Sequence, residues 1–120
     1  MPVVFVDGEA TLRSIASTMA EERVGSVVLL GPDGPTMVVT EQDIVTAVAA
    51  GHHVDSTWGA DVASRHLITV GPEATLEEVV QLMADNDIRH LPVRAGGEII
   101  GMVSARHVLR MVADHWTELV

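Results

Sequence analysis

The chain reads twice. Residues 4–51 lie on residues 68–115 at one constant offset, without a gap. Glu9-Ala10-Thr11-Leu12 falls on Glu73-Ala74-Thr75-Leu76, Met19-Ala20 on Met83-Ala84, Thr40 on Ser104, and Val48-Ala49 on Val112-Ala113. Identities are few, but apolar positions fall on apolar positions almost throughout. Each half alone is marginal in size, so two copies are expected to share a core and pack with pseudo-two-fold symmetry. Clefts at such junctions are natural places for a small molecule.

The periodicity of each copy predicts the order β-α-β-β-α. In the first, Val3 to Val6 reads as a strand, and Asp7-Gly8 as a turn. Thr11 is placed to cap a helix whose apolar set is Leu12, Ile15, Ala16 and Met19. Residues 27–30 and 36–39 form a hairpin about Gly31-Pro32-Asp33-Gly34, and a helix runs from Glu41 to Ala50. In the second copy, residues 67–70 read as a strand and Gly71-Pro72 as a turn. Thr75 with Glu78 three residues on is a capping-box pattern. That helix carries Val79, Val80, Leu82 and Met83 to about Asn86. A hairpin of residues 90–94 and 99–103 turns at Ala95-Gly96-Gly97, and a helix closes the copy from Ala105 to about His115. Residues 51–57 are a polar linker, with a short helix expected over 58–64. The repeat boundaries are therefore 1–57, linker included, and 58–120.

Composition excludes much chemistry. With no cysteine there are no disulfides, thiolate metal sites or thiol nucleophiles. All basic residues are arginine, so no lysine is present for a phosphate loop or a Schiff base. Tyrosine is absent. A net charge of −10 opposes tracking along a nucleic-acid backbone. Phe5, Trp58 and Trp116 are too few to stack a single strand. His52, His53, His66, His90, His107 and His115 form no zinc-type spacing on one helix, so no metal site is expected. No apolar run approaches the roughly 18 residues of a membrane span, and no secretory signal is read at the start. A cytoplasmic, soluble, non-enzymatic chain with no nucleic-acid or membrane partner is the expectation.

Order, spacing and landmark residues resemble a tandem pair of cystathionine-β-synthase (CBS) motifs, often called a Bateman module. In the second half the stretches that carry the likeness are Ile68-Thr69-Val70, Ala74-Thr75-Leu76, Ile88-Arg89-His90-Leu91-Pro92-Val93 and Ile100-Gly101-Met102-Val103-Ser104. In the first they are Ala10-Thr11-Leu12, Val24-Gly25-Ser26-Val27-Val28 and Val38 to Ile44. The resemblance implies an α/β (α+β) fold, small mixed sheets flanked by helices, and dimerisation, here a homodimer. It also implies an adenosine-containing regulatory ligand between the repeats, an adenine nucleotide (AMP, ADP or ATP) or S-adenosylmethionine. Such modules usually regulate an enzyme, channel or transporter, and no catalytic residue or obligatory cofactor is expected.

The family's binding motif is Gly-x-x-Ser/Thr-x-x-Asp, where the last strand meets the closing helix. A hydroxyl there caps free amides and can face a phosphate, which the helix N-terminus favours. An Asp one turn on can accept from both ribose hydroxyls. The first half has Thr40-x-x-Asp43, with Met37 in place of the glycine. The second has Gly101-x-x-Ser104, with His107 in place of the aspartate. The first candidate site is therefore Thr40 and Asp43, with Val4, Phe5, Val6, Val27 and Val28 as the base pocket. The second comprises Thr69, Val70, Leu91, Pro92, Ser104 and His107, and Arg89, Arg106 and His107 could favour phosphate over ribose there. Both sets also have a plainer account. Thr40 and Ser104 can serve as helix caps alone, and Asp43 is favoured near a helix start by the macrodipole. An assembly module with decayed nucleotide sites is accordingly the alternative reading.

Overall fold

The four long helices each begin on a hydroxyl side chain in the computed structural model, which describes residues 3–32, 34–64 and 67–119. Asp33 of the expected hairpin turn, His66 and the first two residues lie outside the described residues. The chain divides at Leu67/Ile68 into two compact units.

The first unit holds β1 (Phe5–Asp7), α1 (Leu12–Glu22), β2 (Ser26–Gly31), β3 (Gly34–Thr40), α2 (Glu41–Ala49) and the short α3 (Gly59–Val62). β1 lies parallel to β2, with Phe5 opposite Val28 and Val6 opposite Leu29. β2 and β3 are antiparallel, pairing Ser26 with Thr40, Val27 with Val39 and Val28 with Val38, with an irregularity at Leu29/Leu30. Thr11 caps α1, accepting from the Ser14 amide at 3.2 Å. Leu12, Ile15 and Met19 are buried as the spacing predicts, whereas Ala16 is exposed. Ile15 and Met19 meet Val27, Leu29, Met37 and Val39 in one core. Alternation along a strand sends successive side chains to opposite faces. Residues 27, 29, 37 and 39 thus face the helix, and Val28 and Val38 face the other way.

After α2 the chain returns to this unit. The Gly59 amide donates to the Ala10 carbonyl at 2.8 Å, and Ser64 exchanges two backbone bonds with Val38, at 3.0 and 3.2 Å. The helix expected over 58–64 is thus a single turn, and the residues after it extend against β3. Arg13 of α1 pairs with Asp55 through two contacts, one of them 3.1 Å, tying the linker down.

The second unit holds α4 (Leu76–Asn86), β4 (His90–Ala95), β5 (Glu98–Ser104), α5 (Ala105–Asp114) and α6 (Trp116–Leu119). β4 and β5 copy the first hairpin residue for residue. His90 faces Ser104, Leu91 faces Val103, Pro92 faces Met102, and the irregularity recurs at Val93/Arg94. Gly96 and Gly97 turn the hairpin with φ of 58° and 83°, the left-handed pair that a tight two-residue loop requires. The strand expected over 67–70 is reduced to one residue. Val70 bridges Val93 in parallel, its amide bonding the Pro92 carbonyl at 3.0 Å and its carbonyl taking the Arg94 amide at 2.8 Å. Gly71-Pro72 follows at once, and proline has no amide to extend the ladder. Val70, Val79, Met83 and Leu91 form the core, with Leu82, Val103 and Val108 packed around it. Val80, expected inside, is exposed because it falls beside the buried stripe rather than in it. The expected Thr75 capping box is half made. The Thr75 hydroxyl accepts from the Glu78 amide at 3.2 Å, without the return bond from the Glu78 carboxylate.

Candidate functional site

Where β3 becomes α2, Thr40 is the N-cap, and its extended backbone (φ −109°, ψ 166°) turns into the helix. Its hydroxyl accepts from the Asp43 amide at 3.3 Å, while Asp43 Oδ2 accepts from the Thr40 amide at 2.8 Å. This is a complete capping box, and both side chains are half-buried. The Glu41 amide is taken by the Gly25 carbonyl at 3.0 Å. Asp43 Oδ1 accepts neither of the two bonds that close the box.

α5 starts the same way. Ser104 Oγ accepts from the His107 amide at 3.3 Å, and His107 Nδ1 accepts from the Ser104 amide at 3.3 Å. Nδ1 also lies 2.9 Å from Ser104 Oγ. The Ala105 amide donates to the Arg89 carbonyl at 2.7 Å, just as Glu41 bonds Gly25. An imidazole nitrogen replaces a carboxylate oxygen, and the geometry survives.

The sheet sorts the expected residues onto two faces. Phe5 and Val28 stand side by side on the face away from α1, and Thr40 lies along it next to Val38. Val4, Val6 and Val27 pack on the helix side instead. Met37 also belongs there, so its bulk is on the opposite face from Thr40. In the second unit Pro92 and Ser104 occupy the places of Val28 and Thr40, and Thr69 that of Phe5. Val70 and Leu91 are core residues. Arg89 and Arg106 are exposed.

One residue that sequence reasoning passed over is Ser26. Only 6% exposed, it is directly opposite Thr40. A serine inside the apolar run Val24 to Leu30 was the available signal. The two capping boxes were missed as well. The box is usually sought as Ser/Thr with Glu or Gln three residues on, and here Asp and His close it.

Burial is the main cause holding the His107 imidazole below its ordinary value. Among the described residues no three His, Asp or Glu side chains come together to hold a metal. No helix among them is long and apolar enough to cross a membrane.

Comparison with known proteins follows the repeat. A family model for the CBS domain matches residues 1–50 and 59–114. An uncharacterized protein of Methanopyrus kandleri is 36% identical over 104 residues, covering 84% of this chain and 53% of its own. The mitochondrial CBS domain-containing protein CBSX3 of Arabidopsis thaliana is 34% identical over 116 residues, covering 91% and 56%. The chain thus spans about half the length of these curated relatives. A CBS domain protein of Pyrobaculum aerophilum, solved in complex with AMP, superposes with a TM-score of 0.79 at 31% identity, covering 95% of this chain and 93% of the other.

Proposed function

Because the chain belongs to the CBS-domain family, we propose that it is a regulatory module binding an adenosine-containing ligand at the start of α2. Residues 1–57 and 58–120 are its two repeats in this reading. The observation that carries it is the Thr40–Asp43 arrangement. A hydroxyl and a carboxylate are fixed at a helix N-terminus, on a face beside Phe5 and Val28. Asp43 Oδ1 accepts from a ribose hydroxyl, and Thr40 and the helix start face phosphate. Support comes from the AMP complex of the similar Pyrobaculum protein. Met37 does not count against the site, because it lies on the other face. The second site, at Ser104 and His107 with Arg89 and Arg106 nearby in sequence, is assigned to phosphate rather than ribose, since imidazole lacks a carboxylate's paired acceptors.

Binding regulates only if the ligand prefers one conformation, so the mechanism is a population shift passed to a partner protein. The module works as a homodimer in the cytoplasm and catalyses nothing in this reading. The assembly-only alternative draws on one observation: Asp43 already spends an oxygen on the Thr40 amide.

A thermal-shift series with AMP, ADP, ATP, S-adenosylmethionine and NAD, run with Asp43→Ala alongside, separates the readings. Ligand at about 100 times its Kd stabilises by roughly 2.7 kcal/mol. A rise of several degrees with one ligand, lost in Asp43→Ala, is the expected result. A shift indifferent to Asp43 moves the site to Ser104 and His107. No shift at millimolar concentration leaves the assembly module.

A further inference from the structure

We propose that the Ser104–His107 capping box is a proton-operated joint: neutral imidazole closes it, and protonation opens the first turn of α5. The Ser104 amide is a fixed donor, and it points at His107 Nδ1 at 3.3 Å. Nδ1 can accept only when it carries no proton, so the box requires the tautomer with its hydrogen on Nε2. A proton on Nδ1 sets donor against donor. The Ser104 hydroxyl at 2.9 Å can turn to accept from it, but the backbone amide cannot turn.

Beyond that hydroxyl, no carboxylate among the described residues offsets the cation. Its own helix contributes Arg106, an adjacent positive charge. From β4 come His90, directly opposite Ser104, and Arg89, whose carbonyl holds the Ala105 amide. α4 turns Val79 and Met83 toward α5, while Glu77, Glu78 and Asp85 on it are exposed. No carboxylate pairs with His107 among the described residues. The positive end of the α5 dipole adds to the penalty. Partial burial acts in the same direction, keeping the folded-state pKa under the ordinary 6.5.

The pH window follows from that direction. As pH falls, the unfolded chain takes up the proton first. The cap's contribution is therefore complete above about pH 6.5 and is lost as pH drops through the lower folded-state value. α2 has the same box closed by Asp43, a carboxylate in place of the imidazole. One chain thus carries two geometrically matched joints, of which only the second is closed by an imidazole. The inference stands whether or not either joint binds a ligand.

The test is residue-resolved NMR of the whole chain between pH 5 and 8, following the His107 ring and the hydrogen-exchange protection factors of the Ser104 and His107 amides. His107→Asp and His107→Gln are the comparison variants. In the native chain both protection factors should fall roughly five-fold, as loss of one cap implies, with the midpoint of the His107 ring titration. Thr40 and Asp43 amides should stay level over the same range. Both variants should abolish the Ser104 response, since each supplies an acceptor that mild acid does not protonate. Protection at Ser104 that holds while the His107 ring titrates would overturn the proposal. So would an unchanged response in either variant.

Discussion

At the scale of single residues, two kinds of position set stability. Thr40 satisfies an amide and is satisfied in return. Thr40→Ala removes that cap and should cost about 1 kcal/mol, read as a lower urea midpoint with an unchanged slope, while Thr40→Ser should recover most of it. Gly59 is constrained by space rather than bonding. A Cβ built on it would overlap Ile15 Cδ1 and sit 3.3 Å from Leu29 Cδ1, both fully buried. Gly59→Ala should therefore destabilise by about 1–3 kcal/mol, the usual range for overpacking. A denaturation midpoint equal to the native one would show that the Ile15 side chain moves aside without cost.

At the scale of elements, the repeat preserves errors as well as virtues. α1 and α4 both end on a left-handed residue that is not glycine, Arg23 at φ 57° and Asp87 at φ 50°. Each donates its amide to a methionine carbonyl, Met19 or Met83. Asp tolerates this conformation better than Arg, because a short polar side chain can bond locally. Arg23→Gly should raise the melting temperature by a few degrees, the relief of strain outweighing glycine's entropy. Asp87→Gly should give less. Calorimetry of the two variants in parallel checks both the sign and the order.

At the scale of the whole chain, α2 and α5 present apolar residues at matched repeat positions. Val45 and Leu109 correspond, and they are 59% and 68% exposed. If the homodimer of the proposed function uses these faces, Val45→Glu with Leu109→Glu should give a monomer by sedimentation. Circular dichroism should be unchanged, since neither side chain supports a core. A dimer that persists would place the interface elsewhere. Covering such faces would also answer the general rule that large exposed apolar patches mark interaction surfaces.

The order of elements, the hairpins and the helix starts were legible in the chain because they rest on local rules. Those rules are apolar period, turn residues and hydroxyl caps, and the constant offset meant each was read twice. The family likeness was legible for the same reason, since its landmarks sit at those turns and caps. The reduction of residues 67–70 to a single bridge was not visible. Val70 has the pattern of a strand, and pairing depends on what β4 offers and on where Pro72 stops it. Nor could spacing alone divide the expected site between two faces. Val27 and Val28 are neighbours in sequence, but the pleat sends one to the α1 core and the other beside Phe5. The same parity removes Met37 from the side of Thr40. Finally, the motif sets Asp43 and His107 apart, since the first matches its aspartate and the second departs from it. Folding showed them closing the same ring of hydrogen bonds, because a box depends on where an acceptor sits, not on whether oxygen or nitrogen supplies it.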